Sequence, residues 1–192
     1  MDFPKLLGLR PGVTAVIGSG GKTSLLRRLA AELPGTVLLC TTTHIRPFEE
    51  YPLLTAPTPE DIRKALTTRR ILCLGTPCEN GKLTAPSLSI ETLATLADYV
   101  LVEADGSAGR PFKAHADWEP VLPEERQATV LVMGADGFGK PIRDVCHRSE
   151  RYAALCGVSE NALVTPELEA ALILAEGLGD RVYINKVETA ED

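Results

Sequence analysis

Six short apolar runs, rich in β-branched residues, are spaced along the chain by segments of helical period. Residues 14–17 (TAVI), 36–40 (TVLLC), 70–75 (RILCLG), 98–104 (DYVLVEA), 128–135 (ATVLVMGA) and 180–185 (DRVYIN) each predict a buried strand. Their apolarity is continuous rather than alternating, which marks strands covered on both faces, as in a parallel sheet. Helices are predicted over 23–33, closed by Pro34-Gly35, and over 59–68, opening on Pro59 and two acids. Two more are predicted over 89–97 and 166–177, the last with Thr165 as N-cap and Pro166 at the first helical position. Strand-then-helix alternation predicts an α/β fold, a single three-layer domain over residues 1–192 with a mostly parallel sheet. Two stretches break the rhythm. Residues 76–86 carry Asn80-Gly81, a hairpin signal, and predict a small β excursion. Residues 105–127 are too rich in Gly, Pro and charge to form one element, and loops of that length tend to be functional.

The first predicted strand runs into Gly18-Ser19-Gly20-Gly21-Lys22-Thr23-Ser24 and then into an amphipathic helix. Glycines let backbone N–H groups converge on phosphate oxygens, and a helix beginning at that point adds its own N–H groups and dipole. Lys22 is the candidate to reach the β- and γ-phosphates of a nucleotide, and the Thr23 hydroxyl to ligate Mg²⁺. The spacing is G-x-x-G-K-[ST] rather than the longer G-x-x-x-x-G-K-[ST], because position 16 is valine. The short form resembles the phosphate loop of Mur-type amino-acid ligases. The motif predicts phosphate binding, unless it is a glycine turn before a helix with an incidental lysine.

In open α/β sheets ligands bind beyond the carboxyl ends of the strands, so those ends supply the other candidates. Thr41-Thr42-Thr43-His44 follows the second strand, with Thr42 and His44 the candidate substrate contacts. Glu103 and Asp105 end the fourth; two residues apart on an extended chain, both would face the site as metal ligands or catalytic carboxylates, unless they are structural. Arg110, Lys113 and His115 then cluster positive or titratable groups suited to an anionic substrate. Trp118 either stacks on a planar ligand or packs beneath the loop. A glycine-rich turn over 134–139 and the pair His147-Arg148 are weaker signals. Asn185-Lys186-Val187-Glu188 resembles the N/T-K-x-D guanine-binding loop of GTPases, with glutamate where that loop has aspartate.

Charge narrows the partners. Twenty Lys and Arg against 26 Asp and Glu give a net charge of −6, the wrong sign for a nucleic-acid backbone binder. No apolar run reaches the length of a membrane span, and residues 1–12 have neither a basic nor an apolar signal-peptide region, so the expectation is a cytoplasmic protein. The five cysteines are odd in number and form no CxxC pair, which predicts reduced thiols; Cys146-His147 is the one adjacent ligand-type pair, and a structural zinc is not indicated.

The blocks GSGGKTSLL, TTTHI, VEADGSAGRPFKAH, EPVLP, MGADGFGKPI, HRSE and INKVE, in that order from about residue 13 onward, are similar to the selenium-dependent hydroxylase accessory protein family (YqeC-type). The resemblance implies a P-loop-type fold, nucleotide binding, and a role in maturing selenium-dependent molybdenum hydroxylases. It places Gly18–Thr23 in the phosphate loop, Thr41–His44 in a second block and Glu103–His115 in a third. Two departures are Glu188 and the end of the chain at Asp192, where the family leads one to expect a further strand and helix. The leading expectation is an ATP- or GTP-binding or -hydrolysing accessory protein whose partners are a molybdopterin-type cofactor and a molybdenum hydroxylase. The alternatives are an ATP-dependent small-molecule kinase or ligase, a non-catalytic carrier of nucleotide or molybdopterin, and selenium chemistry at Cys40 or Cys146.

Overall fold

The computed structural model describes residues 2–188. The strands in chain order are β1 (Gly12–Gly18), β2 (Val37–Thr41), β3 (Leu53–Leu54), β4 (Ile71–Leu74), β5 (Thr76–Pro77), β6 (Leu83–Thr84), β7 (Tyr99–Glu103), β8 (Phe112–Lys113), β9 (Arg126–Gly134), β10 (Cys146–His147) and β11 (Arg181–Asn185). The α-helices are α1 (Phe3–Leu6), α2 (Lys22–Glu32), α3 (Pro59–Leu66), α4 (Ile90–Ala94), α5 (Ile142–Val145), α6 (Ser149–Cys156) and α7 (Pro166–Glu176). Each of the six predicted strands is present, and so are the four predicted helices. Seven strands form one sheet in the order β11-β9-β1-β7-β2-β4-β3, with every pairing parallel. The fold is a P-loop NTPase-like α/β domain.

Alternation along the strands sorts the core into two faces. Val16, Leu39, Leu101, Val130 and Val132 face α1 and α2 and bury Leu25, Leu26 and Leu29. Their chain neighbours face the other way. Leu38, Val100 and Val102 meet Ile62 of α3 and Leu93 of α4, while Ala15, Ile17, Leu131 and Met133 meet α5, α6 and α7 through Ile142, Tyr152 and Leu172. Helices on both faces require strands that are apolar on both faces, which is why the runs were continuous.

α3 illustrates how local and packing terms agree. Thr58 and Asp61 form a reciprocal capping box around Pro59, and Ile62, fully buried, is the residue of this helix that enters the core. Ile62→Val removes one methyl from that anchor and is expected to cost about 1 kcal/mol in urea unfolding. The excursion over 76–86 is the antiparallel pair β5–β6, turned at Asn80 and Gly81, both at positive φ. An isolated bridge from Leu83 to Ile45 folds this hairpin back onto the loop after β2. The irregular stretch over 105–127 contains β8, which pairs with β10 in a two-stranded parallel ladder beside the main sheet. No helix among the described residues is long and apolar enough to cross a membrane.

Candidate functional site

β1 is an interior strand, third of the seven, and its carboxyl end opens into the glycine loop. Gly20 and Gly21 have φ of 72° and 139°, conformations that a side chain strongly disfavours. A Cβ on Gly20 would also collide with the backbone of Gly134, and one on Gly21 with the Asn185 amide. The loop is therefore pressed against the ends of β9 and β11. Backbone bonds seat it there: Ser19 N–H donates to Val132 O at 2.7 Å and Gly20 N–H to Arg110 O at 3.1 Å. Ser19 is buried and its hydroxyl also reaches Arg110 O, so it serves the loop's shape. Gly21 caps α2 without a side chain, and the N–H groups of Lys22, Thr23 and Ser24 have no acceptor among the described residues. That is an open set of donors at a helix N-terminus.

A cavity of about 1160 Å³ lies over this helix start. Gly20 to Ser24 and Glu103 line it from below. Thr42 to Pro47, Gly106 to Gly109, Trp118 and the pair Asn185-Lys186 line its sides, and Lys82 reaches in from the β5–β6 hairpin. Lys22, Arg27, Arg46, Lys82 and Lys186 supply positive charge against Glu103 and Glu119 in a chain that is acidic overall. The lining is thus suited to an anion. His44 is exposed on this rim, and Thr42 spends its hydroxyl on Val121 O at 2.7 Å. Trp118 is 74% exposed at the lip, with the Arg148 guanidinium 6.0 Å from its ring centroid; it does not pack beneath the loop.

Thr23 Oγ1 and Glu103 Oε2 are 3.4 Å apart on the cavity floor. Burial is the first cause of a Glu103 carboxyl pushed up to about 7; the Lys22 ammonium opposes the rise and Asp105 adds to it. Asp105 behaves differently. β7 ends at Glu103, so the alternation that would put both carboxylates on one side does not extend to residue 105. Asp105 instead turns inward, fully buried, and accepts from Gly18 N–H at 2.8 Å. Two ammonium groups and an imidazole surround it: Lys22 Nζ 3.0 Å from Oδ1, and Lys113 Nζ at 3.1 Å and His115 Nε2 at 2.8 Å from Oδ2. The Lys22 contact is an ion pair out of hydrogen-bonding line, which leaves Oδ1 without a donor. Burial alone would raise this carboxyl; the His115 hydrogen bond and the two ammonium groups overcome it and hold it down at about 2.

Lys113 and His115 therefore do not reach the cavity. Lys113 is tied to Glu119 at 2.8 Å and to Gly106 O, and His115 Nδ1 lies 2.7 Å from Glu176 at the end of α7. Burial disfavours the charged imidazole, but hydrogen bonds to Asp105 and Glu176 outweigh it and raise the His115 pKa. Arg110 points away from the cavity and donates to Arg143 O at 2.7 Å. Lys22 donates to Gly18 O at 2.7 Å as well as facing Asp105, yet it still lines the cavity. Asn185 donates to Gly20 O at 2.9 Å, and Lys186 pairs with Asp136 at 2.7 Å.

Glu119 and Glu176 are not among the sequence candidates, and Arg148, a weaker one, pairs with Glu119. Glu176 had a readable signal: an acid on the last residue of a helix opposes the macrodipole and calls for a cation nearby. Among the described residues no group of three or more His, Cys, Asp or Glu could hold a metal by itself. Cys40 and Cys146 are buried, and burial raises both thiols, so neither is poised as a thiolate.

A family model described as YqeC protein matches residues 14–150. A protein of Escherichia coli (strain K12) named "Uncharacterized protein YqeC" is 33% identical over 163 residues, which is 80% of this chain and 64% of that protein. The chain thus spans less than two thirds of the length of this relative. No solved structure matches it. The family match runs from within β1 through the glycine loop, the Glu103 strand end, Asp105, Lys113 and His115 to the start of α6, and the chain belongs to the YqeC protein family.

Proposed function

We propose that the protein binds a nucleoside triphosphate together with Mg²⁺ at the carboxyl end of β1 and transfers or hydrolyses its terminal phosphoryl group. The carrying observation is the uncapped start of α2, with Lys22 and Thr23 on the floor of a positively lined cavity. In this reading the α2 N–H groups and Lys22 hold phosphate oxygens. An ammonium has three protons, and Gly18 O and Asp105 occupy at most two, which leaves one for a phosphate. Thr23 and Glu103 would hold Mg²⁺, the hard-oxygen pair that such an ion takes alongside phosphates and water. Bound there, the ion would neutralise charge on the transferring group. Asp105 is committed to Lys22, Lys113 and His115 and is assigned no ligand role.

The reading covers ATP and GTP alike, since the Asn185 amide and the Lys186 ammonium are already engaged within the protein. Family membership supports an accessory-protein role at family level. The finer part, maturation of a selenium-dependent molybdenum hydroxylase with a molybdopterin-type cofactor, rests on the sequence resemblance.

Calorimetric titration of ATP and GTP, with and without Mg²⁺, tests the site. Wild type is expected to bind at least one nucleotide, and Lys22→Ala to weaken it by about tenfold or more. Thr23→Ala is expected to abolish the Mg²⁺ enhancement. Equal affinity in all three proteins, or no binding of either nucleotide to wild type, would overturn the proposal.

A further inference from the structure

A second concavity, of about 340 Å³, opens on the far side of the 106–110 segment. Arg110, Arg148 and Arg151 line it together with His147 and the first residues of α6. Three guanidinium groups around a small hollow are a costly arrangement unless an anion shares it. Two have acids behind them: Arg148 Nη1 is 2.6 Å from Glu119, and Arg151 Nη2 is 2.6 Å from Asp117. Arg110 has no acid within ion-pair distance among the described residues; its one bond is to Arg143 O. Each arginine keeps further N–H groups with no acceptor among the described residues, and Arg151 Nε is buried with none. At α6, Arg148 supplies no side-chain cap, so the N–H groups of Ser149, Glu150 and Arg151 also remain open. Glu150 is the one acid in the lining.

We propose that this arginine pocket is a second anion site, taking the phosphate group of the molecule that acts with the nucleotide. Guanidinium forks match a tetrahedral oxyanion in geometry as well as charge, and the hollow has room for a phosphate and the atoms attached to it. Local fields agree: burial first, then Arg148 and Lys113, lower the His147 pKa, so a further positive charge is unwelcome there.

Position supplies the link to the first site. Gly106 to Gly109 line the large cavity and Arg110, the next residue, lines the small one. Glu119 and Trp118 line the large cavity while Arg148 pairs with the first and lies over the second. A molecule with its phosphate among the arginines has only this lip to cross to meet a triphosphate at Lys22. The words "acts with the nucleotide" rest on the function proposed above; the anion site itself does not.

Inorganic phosphate, titrated calorimetrically, is the probe. Lys22→Ala removes the glycine-loop contribution and is expected to retain a phosphate site. Arg110→Gln/Arg151→Gln, made in the Lys22→Ala background, is expected to weaken that site by about tenfold or more. In the wild-type background the same pair is expected to leave nucleotide affinity within about twofold. Arg148→Lys keeps the charge beside Glu119 but loses the fork; it is expected to weaken phosphate as well, and serves if the double variant melts early by circular dichroism. Phosphate binding that ignores the arginine changes, or that vanishes with Lys22→Ala alone, overturns the proposal. If wild type binds no nucleotide while phosphate still depends on the arginines, the nucleotide reading fails and the anion site stands.

Discussion

Asp105→Ala is expected to destabilise the folded protein by about 3–5 kcal/mol, the cost of stripping a buried ion cluster of its central partner. For a chain of this size that is a fall in melting temperature of about 10 °C. Lys22, Lys113 and His115 lose the carboxylate they share, and Gly18 N–H loses its acceptor at the first residue of the glycine loop. The loss has a ceiling, because Lys113 retains Glu119 and His115 retains Glu176. Asp105→Asn keeps an oxygen for Gly18 but not the charge, and the expected loss is about half as large. The pH dependence of wild type follows the same group. Its carboxyl is depressed on folding from 3.8 to about 2, so its stabilisation is complete above pH 3.8 and is lost as pH falls through 2. Thermal melts between pH 2 and 5 should show this loss in wild type and not in Asp105→Ala. Equal melting temperatures for the two proteins at neutral pH would remove the cluster from any account of stability.

Glu103→Gln is expected to do the reverse, raising stability above pH 7 by about 3 kcal/mol, or about 6–12 °C in melting temperature. Folding raises this carboxyl from 4.5 to about 7. A raised pKa means stability that is whole below pH 4.5 and lost as pH rises through 7, so the ionised side chain is under strain at neutral pH. The neutral amide has no such strain. The gain should therefore vanish near pH 4.5 and be complete by pH 8, a profile that melts across this range will reveal. The same substitution is expected to weaken Mg²⁺-dependent nucleotide binding. A residue that destabilises the protein it sits in, and whose charge a cation would relieve, fits a ligand position better than a packing role. A flat difference across pH would break that link.

The long strands were legible because burial on both faces leaves a continuous apolar run, a signal local to each segment. Their order in the sheet was not. Nothing in residues 12–18 says that their neighbours come from 99–103 and 126–134. The two-residue strands β3, β8 and β10 carry no periodicity at all, and they are held by position rather than by pattern. At the site, Lys22, Thr23 and Glu103 were readable from a loop motif and the rule of strand ends. Asp105 was misjudged through one assumption, that the strand continued past Glu103. Lys113 and His115 read as surface cations because their acids lie elsewhere: Glu176 is 61 residues from His115 along the chain. Charge patterns show that a partner is needed, but only the fold shows which one.

The place of β1 between β7 and β9 also has a consequence for biosynthesis. The strand leaves the ribosome before either of its partners, and both of its edges wait for them. One edge closes only when residues 99–103 have emerged, and the other only with residues 126–134. The half-sheet of β2 and β4 can assemble earlier, since those strands pair with each other. The glycine loop, translated by residue 21, is braced by Gly134 and Asn185 and takes its shape only once both have been added. A ligand of that loop therefore cannot steer the nascent chain through the early steps; it meets a cradle whose last support, Asn185, is made long after the loop itself.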